Sequence, residues 1–269
     1  MCMNSNKPTT GLALGGGGAK GFASFAIVEN LLESDVTIDA VSGTSAGAII
    51  GAYFALFGEV ESLRRELEEF TKMDWLKFAD FTIGNKESLV KGERYRQFLE
   101  EKFGDARFED AKMPLFVAVT DLVAGKIEYV HEGKIIDAIL ASSAYPGVFP
   151  PVQDGEKVLV DGGVLDNLPY EILLEEDFDR VIAVNLSVAG GDKSELSSSI
   201  AIVARSLELM MDNAFNRLYE EDERLFVFDL EFESRFMSMW NVANLSKSYD
   251  FGQKAFDERK ESLLTWYKA

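Results

Sequence analysis

Gly43-Thr44-Ser45-Ala46-Gly47 sets a serine between two glycines, where the apolar run Thr37 to Val41 gives way to a small-residue-rich stretch, Ser45 to Phe57. Read as strand, turn and helix, this is the pattern of a nucleophile elbow. The glycines permit a sharp turn and close backbone approach. The serine hydroxyl then projects at a helix N-terminus, whose unpaired N–H groups and dipole favour a developing negative charge. A serine in that place also suits a plain helix N-cap, so the pentapeptide alone leaves both readings standing.

A second cluster, Gly15-Gly16-Gly17-Gly18-Ala19-Lys20-Gly21, again joins a strand-like run (Gly11 to Leu14) to a helix-like one (Ala19 to Leu32). Consecutive glycines present backbone N–H groups to an oxyanion, and losing one such donor typically costs about 3 to 4 kcal/mol in the transition state. Gly16, Gly18 and Gly21 also satisfy the dinucleotide fingerprint G-x-G-x-x-G. That chemistry needs an acidic residue at the tip of the next strand. Here the tip is Val41-Ser42-Gly43, and the nearest carboxylate, Asp39, lies inside the strand. A phosphate-binding P-loop would carry Ser or Thr after Lys20, where Gly21 stands. Acyl transfer accounts for the two clusters together better than a dinucleotide-binding enzyme does.

A serine nucleophile needs a base. The single histidine, His131, precedes Asp161, and no histidine follows it as a Ser, Asp, His order would require. His131 reads as a solvent-facing strand residue ahead of the turn Glu132-Gly133. Asp161 is the better candidate, because it ends the apolar run Val158-Leu159-Val160 and precedes Gly162-Gly163. That places a carboxylate at a strand's C-terminal edge, where the sites of open α/β sheets collect. An aspartate before Gly-Gly is also a common turn residue.

The elements that must hold these residues alternate between strand-like and helix-like runs, which predicts a largely parallel sheet with helices on both faces, a three-layer α/β fold. Leu115 to Thr120 reads as a fully buried strand, Ile127 to His131 as a more exposed one, and Ile135 to Ala141 as a helix. Val181 to Leu186 is a buried strand, Leu196 to Tyr219 a long helix, Leu225 to Phe228 the last strand, and Leu245 to Trp266 mainly helical. No internal repeat or long linker interrupts residues 1–269, so one domain is expected.

Composition narrows the partners. The chain has 27 basic and 46 acidic residues and a net charge of −19, which argues against nucleic acid and against tight docking on anionic lipid. Neutral lipid, a micelle or a soluble ester stays compatible, with transient membrane contact included. Cys2 is the only cysteine, so neither an intrachain disulfide nor a cysteine metal cluster is expected. The first eight residues contain no apolar run, so neither a secretory signal nor a lipid anchor at Cys2 is expected. The expected compartment is the cytoplasm.

Taken in order, these motifs resemble the patatin-like phospholipase family, in particular its compact bacterial members. Gly11 to Gly21 is similar to the family's first strand and oxyanion loop, and Gly43 to Gly47 to its elbow. Ala141 to Pro151 is similar to a segment that lines the site, and Asp161-Gly162-Gly163 through Asn167-Leu168-Pro169 to the aspartate motif and its following turn. The likeness is good over about residues 11 to 185 and weak in the C-terminal third. It implies a Ser45–Asp161 dyad, an oxyanion hole from the backbone of Gly16, Gly17 and Gly18, with Ala46 adding a donor, and no metal or cofactor. Lys20, Gly21, Gly43, Gly47, Gly162 and Gly163 would support these motifs. Ser24 and Phe25 replace a polar aromatic pair of the relatives, and Asp166 replaces a commoner asparagine.

The implied activity is ester hydrolysis on lipids or phospholipids; a non-catalytic lipid-binding or regulatory protein is the alternative. Phe54, Phe57, Phe78, Phe81 and Ile83 suit either an acyl pocket or a helical core. Phe232, Phe236, Met237, Met239 and Trp240 suit either a cap over the site mouth or packing of the C-terminal helices.

Overall fold

The unbroken apolar run near the middle of the chain forms a strand, β3 (Leu115–Asp121), buried at every residue. Such a run needs cover on both faces of the sheet. The computed structural model describes residues 7–69, 91–190, 193, 196–218, 222–233 and 245–269. In it β3 pairs in parallel with β2 (Ala40–Gly43), β2 with β1 (Thr10–Leu14), β1 with β7 (Arg180–Ala189), and β7 with β8 (Leu225–Glu233). The other edge is antiparallel: β6 (Lys157–Asp161) runs against β3, β5 (Val152–Asp154) against β6, and β4 (Lys126–Val130) against β3. The strand order is β5-β6-β3-β2-β1-β7-β8.

Alternation along the strands builds two cores. Leu12, Leu14, Ile182 and Val184 face one side, with α1 (Phe22–Glu33), α2 (Ala46–Phe57), α5 (Ile135–Ser142) and α8 (Leu245–Lys268). Ala13, Val181 and Ala183 face the other, where the short α6 (Glu171–Glu175) contributes Ile172 and Leu173. Helices lie on both faces, as the alternation predicts, although the second layer is thin. Three more helices complete the described residues: α3 (Glu61–Glu69), α4 (Glu93–Phe103) and α7 (Ser199–Leu218). No described helix is long and apolar enough to cross a membrane.

Two departures bear on the site. Asp161 ends a strand, β6, as expected, but β6 runs antiparallel to β3 in a sheet expected to be largely parallel. Its register sets Asp161 opposite Val119, while Val117 of the same strand lies opposite Gly43. Asp161 thereby reaches the carboxyl end of β2 from the opposite direction. The second strand is also shorter than expected: Asp39 spends its carboxylate on the Thr10 N–H at 2.8 Å, and Tyr267 donates no strand pairing but caps the Thr37 N–H with its hydroxyl at 3.0 Å.

The sheet reverses its order at β1, since the chain leaves β1 for β2 on one side and β7 lies on the other. The crevice beyond the carboxyl ends of the strands at such a switch point is where ligands of open α/β sheets bind. The glycine loop and Ser45 follow the ends of β1 and β2, so both open there.

Candidate active site

At the end of β2 the chain turns so tightly that Ser45 adopts φ +52. A non-glycine residue held there carries strain of about 1 to 3 kcal/mol. The flanking glycines are required by contact: a Cβ on Gly43 would lie 2.5 Å from the Gly47 carbonyl oxygen, and one on Gly47 would overlap the Leu14 carbonyl. Ser45 occupies the N-cap position of α2, yet its side chain makes no capping bond. Its hydroxyl lies close enough to Asp161 to act against the rise of that carboxyl's pKa. The plain N-cap reading of this serine is therefore set aside by its geometry.

Asp161 is almost wholly buried. One carboxylate oxygen accepts the Gly163 N–H at 2.8 Å, the bond of a turn aspartate, while the carboxyl also borders the cavity at Ser45. Burial raises its pKa from 3.8 to about 7, against the lowering effects of the Gly163 N–H and the Ser45 hydroxyl. Gly162 lies so close to β3 that a Cβ would overlap the Ala118 carbonyl, which fixes where the strand delivers the carboxylate. The turn after it is stitched to the elbow: Thr44 Oγ1 donates to the Asp166 carbonyl at 3.0 Å, and Ser42 Oγ to that of Pro169 at 2.6 Å.

The glycine loop is clamped by Asn167. The Gly16 N–H donates to the Asn167 carbonyl at 3.0 Å, and Asn167 Nδ2 donates to the Gly16 carbonyl at 3.3 Å. The expectation that Gly16 offers its amide to an oxyanion needs correcting on this account, since that N–H is already committed. The amides of Gly17 and Gly18, and that of Ala46 at the first position of α2, have no partner among the described residues. Lys20 is buried and donates to the Leu186 carbonyl at 3.2 Å, tying the loop to β7. Gly21 meets α2 closely enough that a Cβ would sit 2.9 Å from that of Ala46. Gly163 is closed to a side chain by Asn167 and Met211.

Ser45, Asp161 and the loop border a cavity of about 200 Å³, whose other walls include Phe22, Phe25, Ile49, Ile50 and Phe98. Of the two readings offered for these phenylalanines, Phe54 takes the helical-core one, Phe57 is exposed at the end of α2, and neither lines the cavity. Phe78, Phe81 and Ile83 lie outside the described residues, as do Phe236, Met237, Met239 and Trp240. Phe232 packs edge-on against Phe251 at 4.8 Å, within the core. Of the departures from the family pattern, Phe25 is a cavity wall, Ser24 is buried with no partner for its hydroxyl among the described residues, and Asp166 accepts the Tyr129 hydroxyl at 2.8 Å. His131 is exposed, with Nδ1 3.0 Å from the Tyr129 carbonyl.

Ser142 was not singled out within the Ala141 to Pro151 segment, and the sequence carries no signal that separates it from Ser143. In the fold its hydroxyl accepts the Ser45 N–H at 2.8 Å, whereas Ser143 accepts the Tyr95 hydroxyl at 2.8 Å. Ser142 thus holds the strained elbow residue in place. Ser142→Ala should lower kcat roughly tenfold with little change in KM, since an unmade bond of this kind costs about 1 to 3 kcal/mol. Steady-state kinetics on a soluble ester checks this, and Ser142→Thr should restore most of the loss.

A family model of patatin-like phospholipases matches residues 12–174. An NTE family protein of Mycobacterium bovis is 36% identical over 177 residues, which are 65% of this chain and 30% of that protein. Lysophospholipase nte1 of Aspergillus niger is 30% identical over 181 residues, 66% of this chain and 12% of that one. This chain therefore spans less than a third of the length of either relative. Among solved structures, VipD from Legionella pneumophila superposes with a TM-score of 0.50 and 17% identity, covering 94% of this chain and 67% of that one. At that identity the likeness is one of fold.

Proposed function

This chain belongs to the patatin-like phospholipase family, and from that premise we propose that it is a serine acyl hydrolase cleaving ester bonds of lipids or phospholipids. The observation that carries the reading is that Ser45 and the buried Asp161 carboxylate border one apolar cavity beside unpaired backbone amides, near enough for the hydroxyl to influence the carboxyl's pKa. The same reading takes residues 1–269 as one patatin-like domain and the cytoplasm as its compartment.

In the proposed cycle, Asp161 accepts the Ser45 proton as Oγ attacks the ester carbonyl carbon. The carbonyl oxygen becomes an oxyanion held by the N–H groups of Gly17, Gly18 and Ala46. Collapse breaks the ester C–O bond, and Asp161 returns the proton to the departing alcohol. Asp161 then takes a proton from water, which attacks the acyl-serine, and Ser45 is regenerated as the fatty acid leaves. A carboxylate of ordinary pKa is a weak base for an alcohol. Desolvation improves Asp161 in that role, and the oxyanion donors supply the larger stabilisation.

The protonation state of Asp161 sets the pH dependence. A base works only when ionised, so kcat/KM should rise tenfold per pH unit below about 7 and level off above it. A stopped assay on a soluble ester between pH 5 and 9 measures the limb. A midpoint near 4 would show that a carboxylate in water, and not a buried one, is the base. Hydrolysis of phosphatidylcholine, lysophosphatidylcholine and a p-nitrophenyl ester, each compared with Ser45→Ala, tests the reading as a whole.

A further inference from the structure

The helix α7 carries apolar residues on the face turned away from the protein. Ile202, Val203, Leu209 and Met210 are 50%, 58%, 51% and 68% exposed. At 100° per residue they fall, with Ser206 between them, within one arc of roughly 120°. Between Ile202 and Met210 no charged residue lies in that arc, and Arg217 enters it only two turns further on, near the helix's C-terminal end. The opposite face of the same helix borders the site: Glu208 and Met211 are cavity walls, Leu207 packs against the cluster of Tyr145 and Val148, and the Ala204 carbonyl accepts the Tyr145 hydroxyl at 3.3 Å. One helix thus joins the cavity wall to an uncovered apolar stripe.

We infer that the outer face of α7 docks on a zwitterionic lipid surface and so brings the cavity mouth to the bilayer from which an acyl ester would enter. This rests on the proposed hydrolase reading for its purpose, though not for its measurement. The charge balance selects the lipid. A chain of net charge −19 is repelled by an anionic leaflet, so the stripe must hold by apolar burial, and from Ile202 to Met210 it is free of charge as that requires. Contact of this kind strengthens with the apolar area buried at the interface.

The test uses the full chain carrying Ser45→Ala, so that turnover plays no part, and sucrose-loaded phosphatidylcholine vesicles. Val203→Ser combined with Met210→Ser should weaken vesicle partitioning about tenfold. Anionic phosphatidylglycerol mixed into the vesicles should weaken it for both proteins. An environment-sensitive dye on Val203→Cys, in a Cys2→Ser background, should shift to the blue with vesicles, and the same dye on Glu261→Cys of α8 should not. With Ser45 restored, the double variant should hydrolyse a soluble ester at the wild-type rate. Equal partitioning of both proteins, or no response of the dye at 203, overturns the inference. So does a dimer that the double variant converts to a monomer without vesicle binding, which would assign the face to a second copy of this chain. Loss of soluble-ester hydrolysis in every version would overturn the hydrolase reading and leave the partitioning result to decide the surface.

Discussion

Asp161→Asn is expected to abolish hydrolysis while raising the melting temperature at pH 8. The amide keeps an oxygen for the Gly163 N–H, whose bond to Asp161 is 2.8 Å long, and loses the capacity to accept the Ser45 proton. Removing a positioned general base costs about 10² to 10⁴ in rate, and the upper part of that range is expected because no described histidine stands near to substitute. The stability change has the opposite sign for a reason of linkage. Below about 3.8 both folded and unfolded chains hold the Asp161 proton. Between there and about 7 the unfolded chain releases it first, so the wild type loses stability as pH rises, and the loss is complete above about 7. Asparagine has no proton to release. Thermal melts should therefore place the variant roughly 5 °C above the wild type at pH 8, with the gap closing by pH 4. A variant that melts lower at pH 8 would mean that burial does not hold Asp161 in the raised range.

Gly47→Ala is expected to be the most damaging single methyl group in the site. The new Cβ would overlap the Leu14 carbonyl oxygen and lie 2.8 Å from that of Gly15. Both belong to backbone at the end of β1, which is held on either side by β2 and β7, so no side chain can swing aside to relieve the clash. Overpacking against rigid neighbours costs about 1 to 3 kcal/mol and more where backbone must move. A fall of roughly 10 °C in Tm, or failure to accumulate as folded protein, should follow. Gly104→Ala is the comparison, since its Cβ would meet nothing within 4 Å and only the φ of +55 opposes it. It should cost about 1 kcal/mol. Circular dichroism melts of the two variants would separate steric closure from backbone strain.

The parts of the fold legible in the sequence were those whose pattern reflects a single local cause. Leu115 to Thr120 is apolar throughout because β3 is covered on both faces, and its reading as a buried strand agrees with the structure. The long C-terminal helix was equally plain. Strand direction was not legible: Val158 to Asp161 looks the same whether it runs with its neighbour or against it, and only the pairing with β3 decides. The site followed the same division. Ser45, Asp161 and the glycines announce themselves because tight turns restrict residue type. The commitment of the Gly16 amide to Asn167, and the hold of Ser142 on the Ser45 N–H, are made between segments far apart in the chain. No local spacing records them. The cavity walls were not legible for a related reason: Phe54 and Phe25 are both apolar helix residues, and only the packing directs Phe25 to the cavity and Phe54 to the core.

The most direct measurement is the rate at which a fluorescent fluorophosphonate labels the wild type, Ser45→Ala and Asp161→Asn between pH 5 and 9. If Ser45 is a nucleophile activated by a buried Asp161, only the wild type labels, and its rate climbs to a plateau above about pH 7. Labelling of Ser45→Ala would place the nucleophile elsewhere, and wild-type labelling rates in Asp161→Asn would remove the dyad.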